Sequence, residues 1–384
     1  MRLALLSPTF PPDRCGVGDY TAGLAGELVR QGHEVAVWTA QASPLSSTAS
    51  VRSLGGGTGK PWGPLALARV GQELAASRPD AIVVQFAPNL YSKRLRGISP
   101  ELPAWIVALR AVSRAPVVLM AHEQHYPAGL YPLDWLLIGV PQLVQFQVMA
   151  GVCDAVLFST EVAQLKYRRR YPRRRDRFHW LPVASNIPVV VPEAATAAIS
   201  PSELILVQFG TPHPTRLFTH AIAALDRARR AGLEARLIAV GVQDERLAQE
   251  LVRAGRSDLR PYAQGLGYLS IPETSEHLQR ADLVLAPFMD GVSSRRTSVM
   301  AALAHGRPVL TTRAWATDPS ADWESFTRVV DAESPERFAQ AALELLGDPA
   351  ERDRLGKLGH DAYQAMFDWP VIGARLVALL GAEA

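Results

Sequence analysis

Two adjacent guanidinium groups, Arg295 and Arg296, follow the acidic turn Asp290-Gly291 in APFMDGVSSRRTSVMAALAHGRPVLTT, residues 286–312. The apolar run Leu283 to Pro287 predicts a strand just before them. Ser293 or Ser294 is placed to cap a helix, with Val299, Ala302 and Leu303 as its buried stripe and Gly306 as its stop. Free amides at a helix start, the positive dipole end, two arginines and the hydroxyls of Ser294, Thr297 and Ser298 together suit phosphate oxygens. The plainer alternative is a well-packed βαβ unit, for which Ala301, Ala302 and Ala304 are small enough. The arginines weigh against it, because open α/β sheets bind ligands at the carboxyl edge of their strands.

A second stretch with chemical potential is CGVGDYT, Cys15 to Thr21, which leads into a helix-like segment. A dinucleotide fingerprint fails three checks there. The third glycine position is Thr21, the loop Ser7 to Gly16 carries Pro8, Pro11 and Pro12 and is too long, and the next run ends WTAQAS without a ribose-binding carboxylate. What remains is either a hinge or a loop whose glycines, Gly16 and Gly18, let backbone amides face an oxygen-rich group.

The elements that must position these residues follow from short apolar runs with helix-like segments between them. Leu3 to Leu6, Val35 to Trp38, Ala81 to Phe86, Val117 to Met120 and Ala155 to Phe158 predict a parallel sheet flanked by helices. Around Pro192 to Ser202, PEAATAAISPS reads as a linker. The rhythm restarts with Leu204 to Phe209, Leu237 to Val240, Leu283 to Pro287, Val309 to Thr312 and Val329 to Val330. Leu217, Ala221, Leu225 and Ala228 share one helix face, and Trp369 and Pro370 begin a final helix. Two α/β domains are therefore expected in the 384 residues.

Composition narrows the class. With 48% hydrophobic and 20% charged residues the chain is globular and enzyme-like. Two cysteines, Cys15 and Cys153, exclude a disulfide framework and favour a cytoplasmic location. The start lacks the apolar region of an export signal, and WLLIGVPQLVQFQVMAGV, broken by Pro141 and three glutamines, is read as too interrupted to cross a bilayer. Net charge is +3, yet KYRRRYPRRRDR, Lys166 to Arg177, holds eight basic residues against one acidic. It is either a solvated helix end or a site for anionic lipid, acidic substrate or nucleic acid; two interleaved tyrosines argue little for nucleic acid.

These motifs in this order resemble the GT-B fold glycosyltransferases, in particular the retaining enzymes of glycosyltransferase family 4. The marks are LLSPTFPP with CGVGDYT, RQGHEVAVWTA, AHEQHY, CDAVLFST, LPVASNIP, VQFGTPHPTR, QRADLVLAPF, DGVSSRRTS and ALAHGRPVLTT. The resemblance implies an α/β chain of two Rossmann-like domains facing each other across a cleft. The acceptor-binding domain would be 1–193, with the helix 367–384 crossing back to it, and the nucleotide-sugar domain 203–366.

Carried over by residue, the resemblance places Gly16 and Gly18 near the donor diphosphate, and Asp19, Tyr20, His122 and Glu123 on the acceptor side. It places Gly210 and Arg216 at the diphosphate, and Gly265 and Leu269 around the nucleobase. Relatives often carry two glutamates eight positions apart; here Ser293 and Ala301 stand there, leaving Asp290 as the acid for the sugar hydroxyls. Thr211 stands where relatives often have an arginine, so Gly291, Ser293, Ser294, Arg295, Arg296 and Thr297 become the expected phosphate site.

The implied reaction moves a sugar from a nucleotide-diphosphate sugar to an acceptor hydroxyl. The largest catalytic task is to stabilise the departing diphosphate. No D-x-D motif is present, so no cofactor and no metal are expected, with cations and helix dipole taking that role. Asp290, Arg216 and His122 are the expected catalytic residues, His122 positioning groups if the reaction retains and acting as base if it inverts. Expected partners are the donor, a sugar, lipid-linked or small-molecule acceptor, and an anionic membrane surface at the cell membrane's inner face, but no nucleic acid. The competing readings are a catalytically silent nucleotide-sugar-binding or partner protein and a sugar-nucleotide epimerase.

Overall fold

Val, Leu, Ile and Ala runs bounded by Gly, Pro and Asp form strands when both sheet faces are covered by helices, because every side chain is then buried. The computed structural model describes residues 1–40, 50–53, 62–92, 96–125, 132–190 and 203–383. It divides into two units, Met1–Pro182 with Trp369–Ala384, and Val183–Asp368. The linker expected at 192–202 and Tyr126 of the AHEQHY motif lie outside the described residues.

Unit 1 holds seven strands, β1 (Arg2–Leu6), β2 (Glu34–Thr39), β3 (Ser50–Ser53), β4 (Ala81–Phe86), β5 (Val117–Ala121), β6 (Ala155–Phe158) and β7 (Phe178–Trp180). All pair in parallel, in the order β3-β2-β1-β4-β5-β6-β7. β1 is central, with Leu3 opposite both Val35 and Ala81. The order reverses between β1 and β4, the switch point at which such sheets open a crevice. Helix Gly16–Arg30 follows β1. Against it lies the last helix, Trp369–Glu383: a Cβ on Gly23 would fall 2.3 Å from the Trp369 ring, so only glycine lets that indole seat.

The segment expected to be interrupted by Pro141 and the glutamines is helical throughout. Trp135–Val152 is one continuous helical stretch, long and apolar enough to cross a membrane by length and composition. Its first turn, Trp135–Gly139, is a π-helix in which the Val140 amide reaches back to the Trp135 carbonyl. That offset precedes Pro141, so the missing amide does not break the rod. The glutamines turn inward: Gln142 donates to the Arg96 carbonyl at 2.6 Å, and Gln145 accepts from the Ser99 amide at 2.7 Å.

Unit 2 holds β8 (Leu204–Phe209), β9 (Ala235–Val240), β10 (Ala263–Gly267), β11 (Leu283–Ala286), β12 (Val309–Arg313) and β13 (Arg328–Asp331). They are again parallel, in the order β10-β9-β8-β11-β12-β13. Its switch point lies between β8 and β11. One face is sealed by Phe218, Ala221, Leu225 and Ala228 of helix Phe218–Arg230 together with Phe338, Ala342 and Leu345 of helix Pro335–Gly347. Ala221, Leu225 and Ala228 of the predicted face are thus buried, whereas Leu217 precedes the helix at its capping position and is half-buried, with Phe218 in its place.

Candidate functional site

The residues expected to meet phosphate gather at the switch point of unit 2. After β8 the chain turns at Gly210, whose φ of +118° is open only to glycine, and a Cβ there would lie 2.5 Å from Arg216 Nη2. The Arg216 guanidinium therefore sits directly on bare backbone. Its loop is clamped to the loop after β11: Met289 N donates to Thr215 O at 2.7 Å and Leu217 N to Pro287 O at 3.1 Å. Between the loops the Phe288 ring meets two cations, the guanidinium carbons of Arg296 and Arg216 lying 4.1 and 5.3 Å from its centre.

Three guanidinium groups share this edge with the carboxylate of Asp290, and a second buried carboxylate, Asp318, holds the Ser294 amide. Asp290, 4% exposed, accepts from Arg295 Nη2 at 2.7 Å and pairs its other oxygen with Arg296. Arg296 also donates to Thr215 Oγ1 at 3.2 Å. Arg216 is different. Its Nε and Nη1 are buried and have no hydrogen-bond partner among the described residues, and burial lowers its pKa to about 10. A guanidinium partly withdrawn from water, with no carboxylate beside it among the described residues, is suited to an anion.

The serine cap expected at 293 or 294 is not found. The helix begins at Thr297, with Arg296 at the capping position and no side-chain cap. The ion pairs of Asp290 hold 290–296 in turns, with Arg296 N donating to Ser293 O at 3.0 Å, so helical geometry starts only afterwards. Ser294 is tied by its backbone, its amide to Asp318 Oδ2 and its carbonyl to the Val183 amide. Ser293 Oγ is buried without a partner among the described residues, and Ala301 is fully buried. Gly291 backs onto Thr317.

Gly265 and Leu269 stand apart from the arginines, on the β9–β10 side. Gly265 N donates to Asp244 Oδ1 at 2.9 Å, and Leu269 is partly exposed just beyond β10. Backbone joins the two regions, because Gly241 at the end of β9 touches Gly210 and donates to the Gly267 carbonyl at 2.7 Å. Beside Arg216 opens a cavity of about 420 Å³ lined by His213, Arg216, Arg246, Glu250 and Arg253 among others.

In unit 1 the expected residues form a second cluster. His122 follows β5, donates its amide to Phe86 O at 2.9 Å, and faces Gln85 Oε1 with Nε2 at 2.8 Å. Burial lowers its pKa to about 4, so the imidazole is neutral at physiological pH, with Nε2 carrying the proton and Nδ1 left as acceptor. Tyr20, expected to face an acceptor, is instead 2% exposed and wedged between His122 and Trp369, at ring distances of 4.9 and 5.5 Å. Gly16, Gly18 and Asp19 occupy the first turn of Gly16–Arg30, Gly18 lying against the backbone of Thr9 and Phe10. Glu123 is exposed.

Three contributors were not singled out from sequence: Thr215, Phe288 and Gln85. Gln85 and its counterpart Gln208 are legible in hindsight, each a polar residue inside a central apolar strand, IVVQF and ILVQF. Gln208 is fully buried and its amide has no partner among the described residues.

Residues 204–348 match the family Glycosyl transferases group 1. Unit 2 therefore carries a glycosyltransferase domain, and the chain is a transferase enzyme. The whole chain is similar in fold to solved GT-B glycosyltransferase structures. Sucrose-phosphate synthase from Thermosynechococcus elongatus aligns with a TM-score of 0.74 at 16% identity, over 100% of this chain and 98% of its own. WaaG, a glycosyltransferase involved in lipopolysaccharide biosynthesis, aligns with a TM-score of 0.69 at 16% identity, over 98% and 99%. Anabaena HepE, in complex with UDP-glucose, aligns with a TM-score of 0.66 at 14% identity, over 100% of both chains. No curated protein sequence matches.

Proposed function

We propose that the chain transfers a sugar from a nucleotide-diphosphate sugar to an acceptor hydroxyl, with retention and without a metal, as a retaining enzyme of glycosyltransferase family 4. The observation that carries this reading is Arg216 at the unit 2 switch point, whose Nε and Nη1 are buried with no partner among the described residues, beside Arg295 and Arg296. Arg295 and Arg296 share the carboxylate of Asp290 and Arg216 meets no acid among the described residues, which suits a diphosphate that gains negative charge as it leaves. The structure of HepE with UDP-glucose makes UDP-sugars the first donors to try.

In this scheme the anomeric C–O bond to the diphosphate breaks, the acceptor oxygen bonds the anomeric carbon, and the acceptor's proton passes to a leaving phosphate oxygen. Arg216, Arg295 and Arg296 hold that phosphate. Asp290, with both oxygens engaged by arginines, fixes the cations rather than the sugar. His122, neutral and with Nδ1 open, orients the acceptor by hydrogen bonding instead of taking its proton. Both cysteines are free, which fits the reducing cytoplasm. The basic run favours a lipid-linked acceptor at the membrane's inner face over a small soluble one.

The test is release of nucleoside diphosphate from UDP, GDP, ADP and dTDP sugars, with and without EDTA, over a panel of acceptors. Release that survives EDTA supports the scheme; release abolished by EDTA removes the metal-independent part. Tight donor binding with no turnover on any acceptor would leave a silent binding protein, the reading favoured by Ser293 and Ala301 in place of acids.

A further inference from the structure

The helical stretch Trp135–Val152 is turned inside out. Its glutamines face the domain, as described, while its outward side carries Leu136, Leu137, Val144 and Val148, continued by Leu133 just before it. These five aliphatic side chains are between 43% and 67% exposed. The neighbouring helix Glu101–Val112, packed against Val140–Val152, does the same: its exposed residues are Ala104, Val107, Ala108, Ala111 and Val112. Two adjacent helices thus present an outer surface of Leu, Val and Ala, where a water-facing helix ordinarily presents charge.

Cations border this surface. The basic run joins the end of the Val140–Val152 helix directly, with Arg174 Nη1 donating to Gly151 O at 3.1 Å and the Tyr171 hydroxyl donating to Gln147. Lys166, Arg169, Arg170, Arg173, Arg174, Arg175 and Arg177 are exposed, with Asp176 the one acid among them. Arg110 and Arg114 stand at the same end of the neighbouring helix, Arg110 bonded to Asp154 at 2.7 Å.

We infer that unit 1 docks on an anionic lipid bilayer, the aliphatic faces of 101–112 and 133–148 entering the headgroup–acyl boundary and the arginines of 168–175 lying over the lipid phosphates. A protein partner would be served by the apolar face alone; a row of exposed arginines contiguous with that face matches the layered chemistry of a membrane surface. The stretch is long enough to span, but it binds flat. Phe146 and Met149 on its inner side are in the core of unit 1 and its glutamines are hydrogen-bonded there, so it cannot leave the domain without unfolding it. All of these residues lie in unit 1, so the docking stands or falls separately from donor binding in unit 2.

The test is co-sedimentation of the full chain with phosphatidylcholine vesicles containing or lacking phosphatidylglycerol. Two variants accompany it, Leu136→Ser/Leu137→Ser/Val144→Ser and Arg169→Gln/Arg170→Gln/Arg173→Gln/Arg175→Gln, each first shown to keep the wild-type melting transition. Expected is binding only to phosphatidylglycerol vesicles, weakened at least about tenfold by either variant and by high salt. No binding by the wild type overturns the inference. So does binding that the serine variant leaves intact, since electrostatics alone would then suffice. A dimer in light scattering that the serine variant dissociates, without vesicle binding, would assign the face to a second copy and overturn it as well.

Discussion

Replacing Arg216 with methionine raises the stability of the free protein while removing its grip on a diphosphate. Lowering an arginine to a pKa of about 10 means the charged form is disfavoured by about 3 kcal/mol, at ~1.4 kcal/mol per tenfold. Part of this is offset by the Phe288 face, worth ~1 kcal/mol, and by partial contact with water. Methionine keeps the packing and drops the charge and the two orphaned N–H groups. The net gain is ~1–2 kcal/mol, a rise of roughly 2–8 °C in the melting temperature of a unit this size. Bound diphosphate reverses the sign, because losing charge-assisted hydrogen bonds at ~1.5–3 kcal/mol weakens binding by about 10- to 150-fold. Thermal melts of wild type and R216M, with and without millimolar UDP, read both numbers through ligand linkage. A variant that melts below wild type and keeps the full UDP-induced shift would refute the idea that this cation waits for an anion.

Asp290→Asn leaves Arg295 and Arg296 without their carboxylate and should cost ~3–5 kcal/mol in the free protein. Added UDP should then stabilise D290N by more degrees than wild type, because the ligand supplies the missing negative charge; equal shifts in melts of the two would contradict this. His122 has a folded pKa near 4, below the ordinary histidine value, so its contribution is present at neutral pH and is lost as pH falls from about 6.5 to about 4. Urea unfolding of wild type and H122Q across that range should show the wild type losing up to about 3 kcal/mol more. Turnover, likewise, should show no inflection near pH 6.5 that H122Q removes.

Central strands were readable because both of their faces are covered, so β4 and β8 are unbroken apolar runs apart from one glutamine each. The strands that escaped notice, β3, β7 and β10, with sequences SVRS, FHW and AQGLG, are all sheet edges. An edge has one neighbour and less cover, so it need not be long or apolar. At the site, residue type and order were enough to place Arg295 and Arg296 at a carboxyl edge, while Arg216 followed only from the family resemblance. They could not show that Asp290 engages two of the three, since that depends on a turn closing over five residues. Periodicity groups the residues of Trp135–Val152 into faces but does not say which face the domain covers; here hydrogen bonds from loop backbone drew the glutamines in.

Unit 1 is assembled from two separated lengths of chain, and the second begins with the indole that fills the notch above Gly23. A ribosome therefore delivers every residue of Val183–Asp368 before Trp369 exists. During that interval the contiguous unit is at liberty to mature while the earlier one waits with Tyr20 uncapped on one flank. A chain cut short at residue 368 and released would carry a complete unit 2 joined to an unfinished unit 1, its bare notch open to chaperones.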